Sequence, residues 1–197
     1  MSLLIKICGL SDRQHVAVAL EAGAGALGFV FAESSRQVTP KHARTISGDV
    51  PRNVKRVAVM LHPANDEWQR VLEQFEPDVL QTDAGDFDGL EVPASVERWP
   101  VYREGQSRPA ALGTWVYEGP KSGRGETVNW ATAAALATSG GMILAGGLGP
   151  GNVASAIQTV RPSGVDVSSG VESAPGRKDA QLIKEFIGAA KAAEKDL

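Results

Sequence analysis

The chain has 197 residues, 43% of them hydrophobic and 22% charged, with a formal net charge of −3. That balance is ordinary for a water-soluble globular protein and leaves no basic surplus with which to grip a nucleic-acid backbone. A single cysteine excludes an internal disulfide, His15, His42 and His62 stand apart without ligand spacing, and nowhere do about 18 apolar residues run together, so metal cluster, redox pair and membrane span are all unsupported. With no secretory leader pattern either, a reducing cytoplasm is the expected compartment.

The first element is the short apolar run Leu3-Leu4-Ile5-Lys6-Ile7-Cys8, which reads as an interior strand. Ser11, followed three residues later by Gln14, predicts a capping box that opens a helix to Ala22. A strand from Ala26 to Phe31 comes next. Thr39-Pro40 then marks a helix start, because proline at the first helical position gives up an N–H that has no partner there. Lys55 to Leu61 reads as a strand, Asp66 to Phe75 as a helix and Asp78 to Gln81 as a strand. Between Thr82 and Gln106 only Glu97 to Tyr102 reads as a strand, and no full helix flanks it. The series closes with a strand Ala110 to Val116, a helix Trp130 to Thr138 capped by Asn129, a strand Met142 to Ala145, a helix Asn152 to Val160, a strand Gly164 to Val167 and a helix Asp179 to Ala193.

About eight strands alternating with helices predict an α/β fold with a parallel sheet closed into a (β/α)8 TIM barrel. The chain is short for that fold, which usually takes about 250 residues, so shortened helices are expected around the fourth and fifth units. No linker or change in composition interrupts it, which predicts one domain over residues 1–197.

In such barrels the C-terminal ends of the strands carry the chemistry. Cys8 falls at one of them. A nearby helix N-terminus and Lys6, if it points the same way, would favour a thiolate able to act as base or nucleophile; the plain alternative is a small buried hydrophobe. Gly146 and Gly147 follow the seventh strand, and Ser168, Ser169 and Gly170 follow the eighth. Glycine lets backbone N–H groups approach an anion, so the two loops together form a candidate phosphate cradle; alone, either makes a tight turn. Ser122-Gly123-Arg124-Gly125 combines glycine with charge after the sixth strand, as a loop that closes over a ligand or simply stays solvated. Arg36, after the second strand, has the fork geometry for a substrate carboxylate.

Taken together, Lys6-Ile7-Cys8-Gly9, Gly28-Phe29-Val30-Phe31 with Ser34-Ser35-Arg36, Ser122-Gly123-Arg124-Gly125 with Asn129-Trp130, Leu144-Ala145-Gly146-Gly147-Leu148, and Asp166-Val167-Ser168-Ser169-Gly170-Val171-Glu172 resemble the phosphoribosylanthranilate isomerase family of tryptophan biosynthesis. The blocks occur in the family's order across nearly the whole chain. The resemblance implies a cofactor-free Amadori rearrangement of N-(5-phosphoribosyl)anthranilate to 1-(2-carboxyphenylamino)-1-deoxyribulose 5-phosphate, by a monomer or homodimer that binds no metal. By the same resemblance Cys8 is the general base at the ribose C2, Arg36 and Asp166 contact the substrate, and Gly123, Gly125, Gly146, Gly147, Ser168, Ser169 and Gly170 hold its phosphate.

Three blocks depart from the family, the mildest being Ser122-Gly123-Arg124-Gly125, which keeps the last glycine of the usual Gly-Gly-Thr-Gly while replacing others. Trp115-Val116-Tyr117-Glu118 stands where the general acid is an aspartate; Glu118 offers the same carboxyl on one more methylene, and Tyr117 beside it also carries a proton. Leu80-Gln81-Thr82-Asp83 replaces the usual Gln-Leu-His-Gly. The competing expectations are another sugar-phosphate isomerase of the same barrel class, in which an aspartate would replace Cys8, a phosphate-binding barrel that has lost catalysis, and a thiol redox sensor.

Overall fold

The structure is a computed structural model that describes residues 2–106, 113–120 and 127–195. Eight parallel strands close into a barrel in sequence order, with β1 (Leu4–Cys8) paired to both β2 (Ala26–Val30) and β8 (Gly164–Val167). Between them run β3 (Lys55–Val59), β4 (Val79–Asp83), β5 (Glu97–Arg103), β6 (Trp115–Glu118) and β7 (Met142–Leu144). The register places Lys6 opposite Asp166 on β8, and Cys8 opposite Gly28 on β2.

Side-chain alternation sorts each strand into two faces. Ala26, Val57, Val79, Trp99, Val101, Val116, Ile143 and Ala145 form one apolar cluster to which no helix contributes; they fill the barrel's interior. The residues of opposite parity, such as Ile5, Ile7, Leu27, Phe29, Trp115 and Tyr117, belong to a second cluster shared with the helices. Parity therefore decides function: Lys6, Cys8, Gln81, Asp83, Arg103, Glu118 and Asp166 fall on the inner face.

The helices are α1 (Arg13–Ala22), α2 (Pro40–Ile46), α3 (Asn65–Phe75), α4 (Trp130–Ala137), α5 (Val153–Val160) and α6 (Ala180–Glu194). Thr39 caps α2 by accepting from the His42 N–H, and Asn129 caps α4 by accepting from that of Thr132, as their sequences predict. The cap of α1 falls one residue later than the predicted Ser11. Asp12 takes it, because its carboxylate reaches both the backbone N–H and the ring of His15.

After β4 the chain makes only a 3-10 turn, Ala84–Asp88, in place of a helix. Aromatic rings cover this thin side. Trp68 of α3 is fully buried and donates its indole N–H to the Glu91 carbonyl at 2.9 Å, and Tyr102, Trp115 and Tyr117 stack edge to face along the outside of β5 and β6. Strand β4 runs two residues past the predicted Gln81, and β5 one past Tyr102, so Asp83 and Arg103 become strand residues. A feature absent from the sequence reading is a hairpin between β8 and α6: β9 (Glu172–Ala174) pairs antiparallel with β10 (Arg177–Lys178).

Candidate active site

A cavity of about 300 Å³ opens at the C-terminal ends of the strands. Cys8, Arg36, Glu118, Asp166, Gly146, Gly147, Ser168 and Ser169 all line it, so residues spread from the first strand to the last converge on one space. Gly170 stands just behind. A Cβ at that position would lie 1.9 Å from the Leu148 carbonyl oxygen, so glycine there lets the loops after β7 and β8 touch. Gly123 and Gly125 lie outside the described residues. A larger groove of about 820 Å³, between the β2 loop and α3, shares Ala32, Glu33, Met60 and Leu61 with the cavity but contains none of the residues singled out for chemistry.

At the floor, Lys6 is completely buried and donates to Asp166 Oδ2 at 2.8 Å. Burial opposes the charge on Lys6, but the carboxylate of Asp166 and the neighbouring Cys8 more than offset it and raise its pKa above the ordinary value. Lys6 thus points toward Cys8, as the thiolate argument requires. The net effect on the thiol is nevertheless upward, because burial outweighs the pull of the Lys6 ammonium and Asp166 adds a further push. At rest Cys8 is a thiol. Room for its sulfur comes from Gly28, where a Cβ would stand 2.9 Å from Sγ and 3.1 Å from Lys6 Nζ.

The opposite wall carries a second charge network. Arg103 donates through Nη2 to Asp83 at 2.6 Å and through Nη1 to Glu118 at 2.5 Å, tying together the ends of three adjacent strands. The phenol-bearing Tyr117 belongs to the outer face and packs on Trp115, away from the cavity. Among the two proton carriers considered at the end of β6, only Glu118 faces inward.

Asp166 Oδ1 and Gln81 Oε1 are buried, and neither has a hydrogen-bond partner among the described residues. Both residues line the cavity, which suits donors such as sugar hydroxyls. Gly146 and Gly147 sit in left-handed backbone, and among the described residues nothing accepts from their N–H groups. Asn152 holds their loop by accepting from the Gly149 N–H at 2.8 Å and donating to the Gly147 carbonyl at 2.9 Å. Sequence reading missed Gln81, Arg103 and Asp83 as cavity residues. Their signal was parity: Val79, Gln81, Asp83 and Trp99, Val101, Arg103 each alternate onto the inner face.

A closed eight-stranded parallel barrel with buried thiol, carboxylates, arginines and glycine-bearing loops at the strand C-termini is the architecture of a barrel enzyme acting on a small anionic substrate. Residues 5–189 match the family described as N-(5'phosphoribosyl)anthranilate (PRA) isomerase. N-(5'-phosphoribosyl)anthranilate isomerase of Geobacter sulfurreducens is 41% identical over 95% of this chain and 98% of its own length. The crystal structure of phosphoribosyl anthranilate isomerase from Thermus thermophilus is 30% identical, with a TM-score of 0.83 over 96% of this chain and 99% of that one. A further phosphoribosyl anthranilate isomerase, solved in complex with reduced 1-(o-carboxyphenylamino)-1-deoxyribulose 5-phosphate, is 28% identical with a TM-score of 0.76 and covers 97% of this chain and 100% of that one. The chain belongs to the phosphoribosylanthranilate isomerase family, and is an isomerase of the tryptophan-biosynthesis class.

Proposed function

We propose that the chain converts N-(5-phosphoribosyl)anthranilate to 1-(2-carboxyphenylamino)-1-deoxyribulose 5-phosphate with Cys8 as general base and Glu118 as general acid. The observation that carries this assignment is the shared cavity: a thiol on β1 and a carboxyl on β6 lie on the inner face of one closed barrel, on separate walls of one space.

The chemistry explains why two groups are needed. The reactive form is the minor one in which the single proton of the pair has left Cys8 for Glu118; Glu118 delivers that proton to the ribose ring oxygen, the C1–O bond breaks, and the anthranilate nitrogen becomes a protonated Schiff base. The Cys8 thiolate then removes the C2 proton, giving an enamine whose enol tautomerises to the ketose. One group cannot serve both atoms, and holding the sugar between fixed groups avoids the entropy of bringing them together.

Lys6 lies next to the base and lowers the energy of its thiolate, and the iminium charge that forms on ring opening adds to that pull. The free acceptors on Asp166 and Gln81 suit the sugar hydroxyls. Gly146, Gly147, Ser168, Ser169 and Gly170 fit the phosphate, with Gly123 and Gly125 assigned to the same task by family resemblance. Arg36 fits the anthranilate carboxylate. One barrel domain, present in the cytoplasm as a monomer or homodimer, completes the proposal.

The direct experiment follows the fluorescence decay of phosphoribosylanthranilate on addition of the purified protein. Turnover with saturation supports the reading. Saturable binding of the reduced product without turnover would instead identify a barrel that has lost catalysis.

A further inference from the structure

Glu172 closes the Ser168-Ser169-Gly170-Val171-Glu172 block, yet it does not line the cavity and no step of the reaction uses it. Its side chain is only 4% exposed, which is unusual for a carboxylate unless it is paired. Two cations account for it. Arg36 donates through Nε to Oε1 at 2.7 Å and through Nη2 to Oε2 at 2.8 Å, a two-pronged contact between residues 136 positions apart. Lys178, fully buried, donates to Oε1 at 2.7 Å and also to the Ser168 carbonyl at 2.9 Å.

The β9–β10 hairpin places these groups. Glu172 opens β9 and Lys178 ends β10, so the antiparallel register sets them side by side. At the turn, a Cβ on Gly176 would come within 2.2 Å of the Ser35 carbonyl oxygen. The hairpin tip therefore presses on the loop that carries Arg36. The Gly176 N–H also donates to Glu172 Oε2 at 3.3 Å.

From this geometry we propose that Glu172 is a positioning residue for substrate recognition: it grips the Nε and Nη2 edge of Arg36 from behind the cavity wall and presents the remaining Nη1 edge to the anthranilate carboxylate. This deepens the reading of Arg36 given above and rests on it. An arginine left to itself loses several rotatable bonds of freedom when it binds a ligand, whereas one already held by a buried fork has lost them on folding. The trio of two cations and one anion keeps a net positive charge behind the wall, which favours an anionic ligand. Without Glu172, Arg36 and Lys178 would face each other as like charges, and Arg36 would have reason to swing away.

Two probes separate this role from a merely structural one: reduced 1-(o-carboxyphenylamino)-1-deoxyribulose 5-phosphate and its counterpart lacking only the ring carboxylate. The wild-type protein is expected to prefer the carboxylated probe. Arg36→Met should abolish that preference, which tests the reading of Arg36. Glu172→Gln should lower affinity for the carboxylated probe about 10- to 100-fold, the range for a lost charged hydrogen bond, while leaving the other probe within about threefold. In turnover the same variant should raise KM far more than it lowers kcat. Should Glu172→Gln fail to fold, Glu172→Asp, whose shorter side chain keeps the charge but not the reach, must show the same selective loss. Equal weakening of both probes, or no change in either, overturns the proposal while leaving Arg36 in its role. A preference that survives Arg36→Met overturns both together.

Discussion

The two walls of the cavity handle charge in different ways. On the β1–β8 side, Lys6 is completely buried while Asp166 and Cys8 reach the cavity with only 8% and 7% exposure, and the thiol is held in its neutral form by burial despite an adjacent ammonium. On the β4–β6 side, Asp83, Arg103 and Glu118 form a chain of ion pairs nearer the mouth, with exposures of 14 to 17%. The contrast shows how one small barrel separates its tasks. The dry wall stores a base whose charged form is costly and therefore reactive, and the wetter wall holds a carboxyl in place through a shared arginine.

The largest effect expected is on the base. Cys8→Ser should lower kcat about 10²- to 10⁴-fold, the usual share of general base catalysis, with the dissociation constant for the reduced product nearly unchanged in a titration. An unaltered kcat would remove Cys8 from the mechanism and dissolve the contrast between the walls.

Next comes stability. Lys6→Met strands the Asp166 carboxylate inside the barrel and should destabilise the fold by about 3–5 kcal/mol, read from the denaturant midpoint, and adding Asp166→Asn should restore part of it. Arg103→Met should cost less, because water reaches its carboxylates more readily. Equal losses at the two sites would show that the walls do not differ in solvation.

On the acid side, Glu118→Gln should reduce kcat at least about 10²-fold. Tyr117→Phe should be nearly silent, since its ring faces the helix layer. The reverse order would move the acid to the phenol.

The smallest effects are those of pH. Because the Cys8 pKa is raised above its ordinary 9.0 and the reaction needs Glu118 protonated at the same time as Cys8 is ionised, each gain in thiolate with rising pH is matched by a loss of protonated acid, and kcat/KM should stay level from neutral pH toward 9.0. Glu172 is pushed up by burial but held below its ordinary 4.5 by the hydrogen bonds and charges of Arg36 and Lys178. Its contribution to stability is therefore present above that value and lost as pH falls below it. Cys8 has the opposite sign, since the folded state holds its proton more tightly; stability attributable to it is lost as pH rises above 9.0. Thermal melts across pH should decline at both ends, and a midpoint still rising above pH 9.0 would contradict the buried thiol.

Much of this was legible in the residues. Alternating apolar runs and capped helices announce the barrel, since Thr39-Pro40 and Asn129 stop and start the chain by local stereochemistry alone. Cys8 and the loop glycines were readable because strand C-termini face one way in a parallel barrel, whereas Glu118 and Asp166 were singled out only by resemblance to the isomerase family. The Arg36–Glu172 fork was not, because nothing local links positions so far apart, and the hairpin that makes it uses strands of three and two residues, too short for a period to register. Asp83 and Arg103 escaped because each lies just past where the apolar pattern ends. The protonation of Cys8 depends on depth of burial, which follows from closure of the whole barrel rather than from the neighbouring lysine.

The division of labour between the walls is tested most directly by substrate carrying deuterium at the ribose C2. If Cys8 breaks that bond and Glu118 acts one step earlier, the residual turnover of Cys8→Ser should show a full primary isotope effect, while that of Glu118→Gln should show almost none because ring opening has become limiting. A full effect in Glu118→Gln together with none in Cys8→Ser would contradict the assignment.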